Sequence, residues 1–107
     1  MKYVIIWTLI LHQKWNALNR NERKKLQNEH LPEILKKYSS SISLRTIDTE
    51  GFTAEFQDFV IIETENLSDY YCMLQDMRNT RVFSEGYLNI SKVFMGIENA
   101  HEVYNDD

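Results

Sequence analysis

From Tyr3 to Leu11 almost every position is apolar. β-Branched and aromatic residues dominate the run, which predicts a strand. Alternation places Tyr3, Ile5, Trp7, Leu9 and Leu11 on one face and Val4, Ile6, Thr8 and Ile10 on the other. A strand that is apolar on both faces belongs in the middle of a sheet. Phe56 to Thr64 repeats the pattern, with Phe56, Val60 and Ile62 on one face, Phe59 and Ile61 on the other, and Glu63 near the end. Two weaker strands are predicted over Ile42 to Ile47 and Tyr87 to Met95. Ile42, Leu44 and Phe52 are candidate core residues from the first of these and the turn that follows it, Asp48-Thr49-Glu50-Gly51.

Helical spacing governs the remainder. Asn19 and Glu22 form a capping-box pattern ahead of a helix running from Arg20 toward Tyr38. Leu26, His30, Ile34, Leu35 and Tyr38 fall on one side of it. Pro32 lacks the N–H that a helix interior needs, so a kink or break is expected near Leu31. Asn66 caps a second helix, Leu67 to Thr80, with an apolar stripe of Leu67, Tyr70, Tyr71, Leu74 and Met77. His12 to Leu18 and Val82 to Gly86 read as connections. A polar tail begins at Gly96, which Val103 and Tyr104 pin down.

The order is βαββαβ. Short connections and right-handed crossovers make this an α+β, ferredoxin-like fold: one antiparallel sheet with two helices on a single face, and strands one and three in the centre. Residues 1–107 are expected to form one domain. Two helices shelter one sheet face only. The other face would expose a contiguous apolar patch, which monomers rarely tolerate. A homodimer through the open sheet face is therefore expected.

Charge changes this picture little. The net charge is −4, with a local excess of cations between His12 and Tyr38 and of anions after Ser39. An acidic majority argues against nucleic acid as a partner. The first apolar run is too short to span a bilayer and lacks a small-residue cleavage site, so neither a membrane nor a leader role is expected of it. Cys72 is the only cysteine, which suits a reducing, cytoplasmic setting.

Several segments, taken together, resemble the darcynin family: Trp15 with Leu18, Arg20, Glu22 and Arg23; Asp48-Thr49-Glu50-Gly51-Phe52; Asp58 with Glu63-Thr64; Tyr70 and Arg78 with Thr80; and Gly96-Ile97-Glu98-Asn99. Gly51 stands where Ala is expected in that family. The resemblance implies the dimeric α+β barrel superfamily, which includes cofactor-free monooxygenases, small isomerases, haem-degrading enzymes and stress proteins. It transfers a fold and no chemistry.

Candidate chemistry is sparse. His12, at the end of the first strand, is a candidate general base, and Glu63 a candidate proton carrier. Trp15, Arg45, Arg20 and Arg23 are candidate ligand-binding residues, an Arg being suited to an anionic group. For each the competing role is structural: a hydrogen-bonded loop His, or an ion pair between Glu63 and an Arg. Asp48 with Glu50 is a weaker acid–base pair, since turn residues of this kind serve the backbone. His12, His30, His101 and Cys72 show no metal-ligand spacing, and a barrel-type haem ligand is expected on the second helix, which has no His. No metal or cofactor is expected. The reading is a homodimeric small-ligand-binding or accessory protein; the alternative is a cofactor-independent monooxygenase- or isomerase-like enzyme acting on a small aromatic or polyketide-like substrate.

Overall fold

In the computed structural model, which describes residues 1–106, β1 (Tyr3–Leu11) lies between β3 (Asp58–Thr64) and β4 (Leu88–Ile97), antiparallel to both. Its backbone is thereby hydrogen-bonded on both edges, and its side chains alone decide what covers it. β2 (Ile42–Asp48) pairs with the far edge of β3, so the sheet order is β2-β3-β1-β4. The two strands apolar on both faces are the central two, as their pattern requires. Ile5 stands opposite Ile62 and Met95, and Trp7 opposite Val60 and Val93. A bulge interrupts the β1–β4 register after Thr8, leaving Ser91 as the extra residue, with its Oγ 2.6 Å from Thr8 Oγ1.

Six helices accompany the sheet among the described residues: α1 (Gln13–Asn16), α2 (Arg20–Asn28), α3 (Leu31–Lys37), α4 (Leu67–Arg78), α5 (Arg81–Ser84) and α6 (Ala100–Asp106). The capping box at Asn19 and Glu22 is complete in both directions. The expected break at Pro32 separates α2 from α3. His30 adopts a left-handed conformation (φ 67°), and Pro32 then sits in the first turn of α3, where a missing N–H costs nothing. Asn66 caps α4 by accepting the Asp69 N–H.

The core joins one sheet face to the helices. Ile5, Trp7, Leu9, Val60 and Ile62 pack against Met73 and Met77 of α4, with Tyr38 and Ile42 at the flank. Trp7 Nε1 donates to Tyr70 Oη at 2.9 Å, which sets the rotation of α4. Met73 is therefore fully buried and Tyr71 is 62% exposed, correcting the expected stripe. A second cluster, Trp15, Leu26 and Val82, lies beyond the end of β1.

Other expectations also change. His12–Leu18 and Val82–Gly86 each contain a short helix, α1 and α5. β3 starts at Asp58, because the Phe56 and Gln57 carbonyls instead accept from Thr49 Oγ1. Phe52 is 91% exposed and adds nothing to the core. β4 runs on through Gly96 to Ile97, since Tyr3 still pairs there and the Glu98 N–H donates to the Lys2 carbonyl. The tail is helical, and Tyr104 is exposed.

The result is a slab 54 × 31 × 16 Å, one sheet and one helical layer thick, with a radius of gyration of 15.5 Å. A compact domain of this length has about 13 Å. Among the described residues no helix is long and apolar enough to cross a membrane.

Ile62→Ala should destabilise the chain by about 3 kcal/mol through a core cavity, and Asn19→Ala by about 1 kcal/mol through loss of the cap. Urea titration checks both, and near-equal losses would contradict the assigned burial.

Candidate functional site

The candidate residues fall at opposite ends of β1. At its C-terminal end, His12 is the N-cap of α1, and its Nδ1 accepts the Lys14 N–H at 3.1 Å. That helix buries Trp15, which packs edge-on to Tyr87 with ring centres 6.2 Å apart. Arg23 donates from Nε to the Trp15 carbonyl at 3.1 Å and from Nη2 to the Asn16 carbonyl at 2.9 Å, closing the C-terminus of α1. The Lys14 ammonium lies over the Tyr87 ring and donates to the Glu85 carbonyl. Arg20 begins α2 and is exposed. The structure thus brings His12, Trp15 and Arg23 together as a hydrogen-bonded plug around the second apolar cluster, in which Arg23 spends its donors on backbone carbonyls.

Glu63 and Arg45 lie elsewhere, on the open sheet face. Glu63 stands opposite Val4 and Ser43, near the start of β1. Along the strand this is roughly 25 Å from His12, at about 3.4 Å per residue. A general base and a proton carrier that far apart do not act on one substrate atom. Glu63 is ion-paired, with Lys2 at 3.5 Å rather than with an Arg, and Lys2 also reaches Glu98 at 3.5 Å. The two carboxylates, Glu63 first, hold the Lys2 ammonium above its ordinary range. Arg45 faces outward opposite Ile61 and makes no ion pair among the described residues.

Two further carboxylates are perturbed, in opposite directions. Tyr38 Oη donates to Asp76 at 2.7 Å and Lys37 Nζ at 3.1 Å, clasping α3 to α4. The Tyr38 hydrogen bond, then the Lys37 one, lowers the Asp76 carboxyl below its usual range. At the other end of the sheet, Asp58 stands opposite Asp48. Burial, then repulsion from Asp48 and Glu50, raises its carboxyl. Asp48 accepts the Glu50 N–H at 2.9 Å, the turn-stabilising role that competed with acid–base chemistry.

The open face itself is the largest coherent feature. It carries Val4, Ile6 and Ile10 of β1, Phe59 and Ile61 of β3, Ile47 of β2 and Phe94 of β4, with Arg45, Glu63 and Lys92 toward its margins. No helix covers it. Phe94 is 57% exposed. Alternation alone revealed this surface in the sequence.

Haem does not fit the residues present. α4 has no His; His12 caps α1, His30 is exposed between α2 and α3, and His101 is exposed on α6. The space between α4 and the centre of the sheet is filled by Trp7, Tyr70 and Met73. Among the described residues no three His, Cys, Asp or Glu side chains converge as a metal site.

A family model described as Darcynin, a domain of unknown function, matches residues 3–105. Darcynin 1 of Acinetobacter baumannii is 28% identical over 88 residues, covering 82% of this chain and 97% of that protein. Among solved structures, a haem-binding protein from Thermus thermophilus superposes with a TM-score of 0.81 at 20% identity, over 98% of this chain and 44% of that one. A chlorite dismutase variant from Candidatus Nitrospira defluvii gives a TM-score of 0.76 at 17% identity, over 89% of this chain and 39% of that one. At these identities the likeness is one of fold, and the chain spans less than half the length of either solved chain.

Linkage makes the two perturbed carboxylates separable. The Asp76 contribution is present above the ordinary carboxylate range and is lost as pH falls through its depressed pKa, whereas the Asp58 penalty applies above its raised pKa and is relieved below it. Asp76→Asn should therefore lower the melting temperature at neutral pH, and Asp58→Asn should raise it, with both differences shrinking in acid. Melting curves between neutral and acidic pH check this, and a pH-independent difference would contradict it.

Proposed function

We propose a function that proceeds from one premise: the chain belongs to the darcynin family. It acts as a self-pairing module, a homodimeric binding or accessory protein in which two copies join through their open sheet faces. One observation carries this reading. A central strand apolar on both sides receives helices on one side only, within a slab 16 Å thick. Burying apolar area is worth about 25 cal/mol per Å² before the costs of association, and a second copy offers a matching apolar face. The solved relatives support it from another direction. Each is more than twice as long as the region this chain matches, which leaves room for a second unit of the same kind in one chain.

An accessory role accords better with the geometry than the alternative of cofactor-independent catalysis. His12 and Glu63 lie at opposite ends of β1, and each already has a structural partner. We read residues 1–107 as one folding unit, and the unpaired Cys72 as suited to a reducing compartment.

Sedimentation velocity across a micromolar dilution series tests the pairing. The wild type should sediment as a dimer. Ile6→Glu, which places a charge between Ile61 and Phe94, should raise the dissociation constant by about a hundredfold or more. Phe94→Ser, at an exposed position that the monomer does not need, should weaken pairing while leaving the circular dichroism unchanged. A wild type that remains monomeric, or variants that pair as well as it does, would overturn the proposal.

A further inference from the structure

On the helical side of the sheet, between the end of α4 and the start of β4, lies a cleft of about 290 Å³ lined by Arg78, Phe83, Leu88, Asn89 and Ile90. Its apolar wall is formed by Phe83, Leu88 and Ile90. Phe83 and Leu88 are half-buried where the two apolar clusters of the molecule meet, and Ile90 packs against the larger of them. Its polar group is Arg78, in the last turn of α4. Arg78 is exposed, and among the described residues its guanidinium makes no ion pair and no side-chain hydrogen bond. Other arginines are spent differently: Arg23 closes α1, and Arg81 is held between Glu29 and Glu85. The position of Arg78 suits the helix dipole, but that interaction fills none of its five donors. Asn89 stands opposite Ile10, so its side chain points to the open face of the sheet, where its amide nitrogen donates to the Gly86 carbonyl at 3.4 Å.

The floor of the cleft continues along β4. Past the bulge, Val93 and Met95 lie on the same face of the sheet as Ile90, since they stand opposite Trp7 and Ile5 as Ile90 stands opposite Leu9. Val93 is 53% and Met95 58% exposed, because α3 and α4 pack over β2, β3 and β1 and stop short of this strand. A strip of exposed apolar side chains thus leads away from a free cation.

We propose that this cleft binds a small organic carboxylate with an apolar body, its carboxylate on Arg78 and its body against Phe83, Leu88 and Ile90, extending toward Val93. Charge complementarity selects the class. A guanidinium fork matches a carboxylate in two parallel hydrogen bonds, a neutral apolar molecule would leave the fork unused, and an amine would be repelled. The volume lies at the lower end of the range for ligand pockets, about 300–1,000 Å³, so the occupant is small. The proposal gives the binding role above its ligand, but it rests on the opposite face of the sheet from the pairing surface.

The test is a nitrogen–proton NMR titration of the full chain with 4-phenylbutyrate, using 4-phenylbutanol and 4-phenylbutylamine as probes with the same body and a different head. 4-Phenylbutyrate should give saturable shifts centred on the amides of residues 78, 83 and 88–90, and the other two should not. Arg78→Gln should weaken binding by about tenfold, the loss of one charge-assisted contact, with Arg78→Lys intermediate. Ile90→Ser should weaken it through the apolar wall. Sedimentation of Arg78→Gln should match the wild type, so a failure of the site and a failure of pairing are read separately. No saturable shift with 4-phenylbutyrate, equal binding of the alcohol, or undiminished binding by Arg78→Gln would overturn the assignment.

Discussion

β1 is hydrogen-bonded along both edges and carries apolar side chains above and below, yet the chain provides one helical layer. Everything else in the structure is arranged around that imbalance. On the covered side Ile5, Trp7 and Leu9 meet Met73 and Met77, and the Trp7–Tyr70 hydrogen bond fixes how α4 lies across them. On the other side Ile6 has Ile61 and Phe94 as strand neighbours and no layer of its own chain above it. The slab is thin and extended for its length because, among the described residues, one face of its central sheet carries no helical layer.

Polar groups serve this frame more than they compose an active centre. Arg23 and His12 hold α1 in place over Trp15; Lys2 bridges Glu63 and Glu98 where β1, β3 and β4 meet; Asp76 ties α3 to α4. Each is satisfied by a neighbour. Arg45 on the open face and Arg78 at the margin of the helical layer are among the cations with no ion pair among the described residues, and these two lie on the surfaces proposed for a binding role. The sheet itself separates the two proposed binding surfaces, the pairing face on one side and the ligand cleft on the other.

Much of this was legible in the residues. Alternation in Tyr3–Leu11 and Phe56–Thr64 identified the central strands and the uncovered face, and Asn19 with Glu22 identified a helix start that the structure reproduces. The failures have local causes. Pro32 announced the break, but the left-handed turn at His30 depends on how α2 and α3 pack rather than on a glycine. Phe56 looked like strand because it is apolar, whereas the Thr49 hydroxyl claims its carbonyl. Tyr71 and Met73 are both plausible inward residues of α4, and only the long-range contact from Trp7 to Tyr70 chooses between rotations. Gly96 read as a terminator, but pairing with β1 carries the strand past it. His12 and Glu63 each looked chemically able; their separation along one strand was a fact of topology that spacing in the sequence does not convey.

Small-angle X-ray scattering at micromolar concentration addresses the central imbalance most directly, since it reports mass and cross-section together. The account requires a particle of twice the 12.8 kDa chain mass with a cross-section thickened beyond the 16 Å of one slab. A particle of single-chain mass and single-slab thickness, stable in solution, would contradict it.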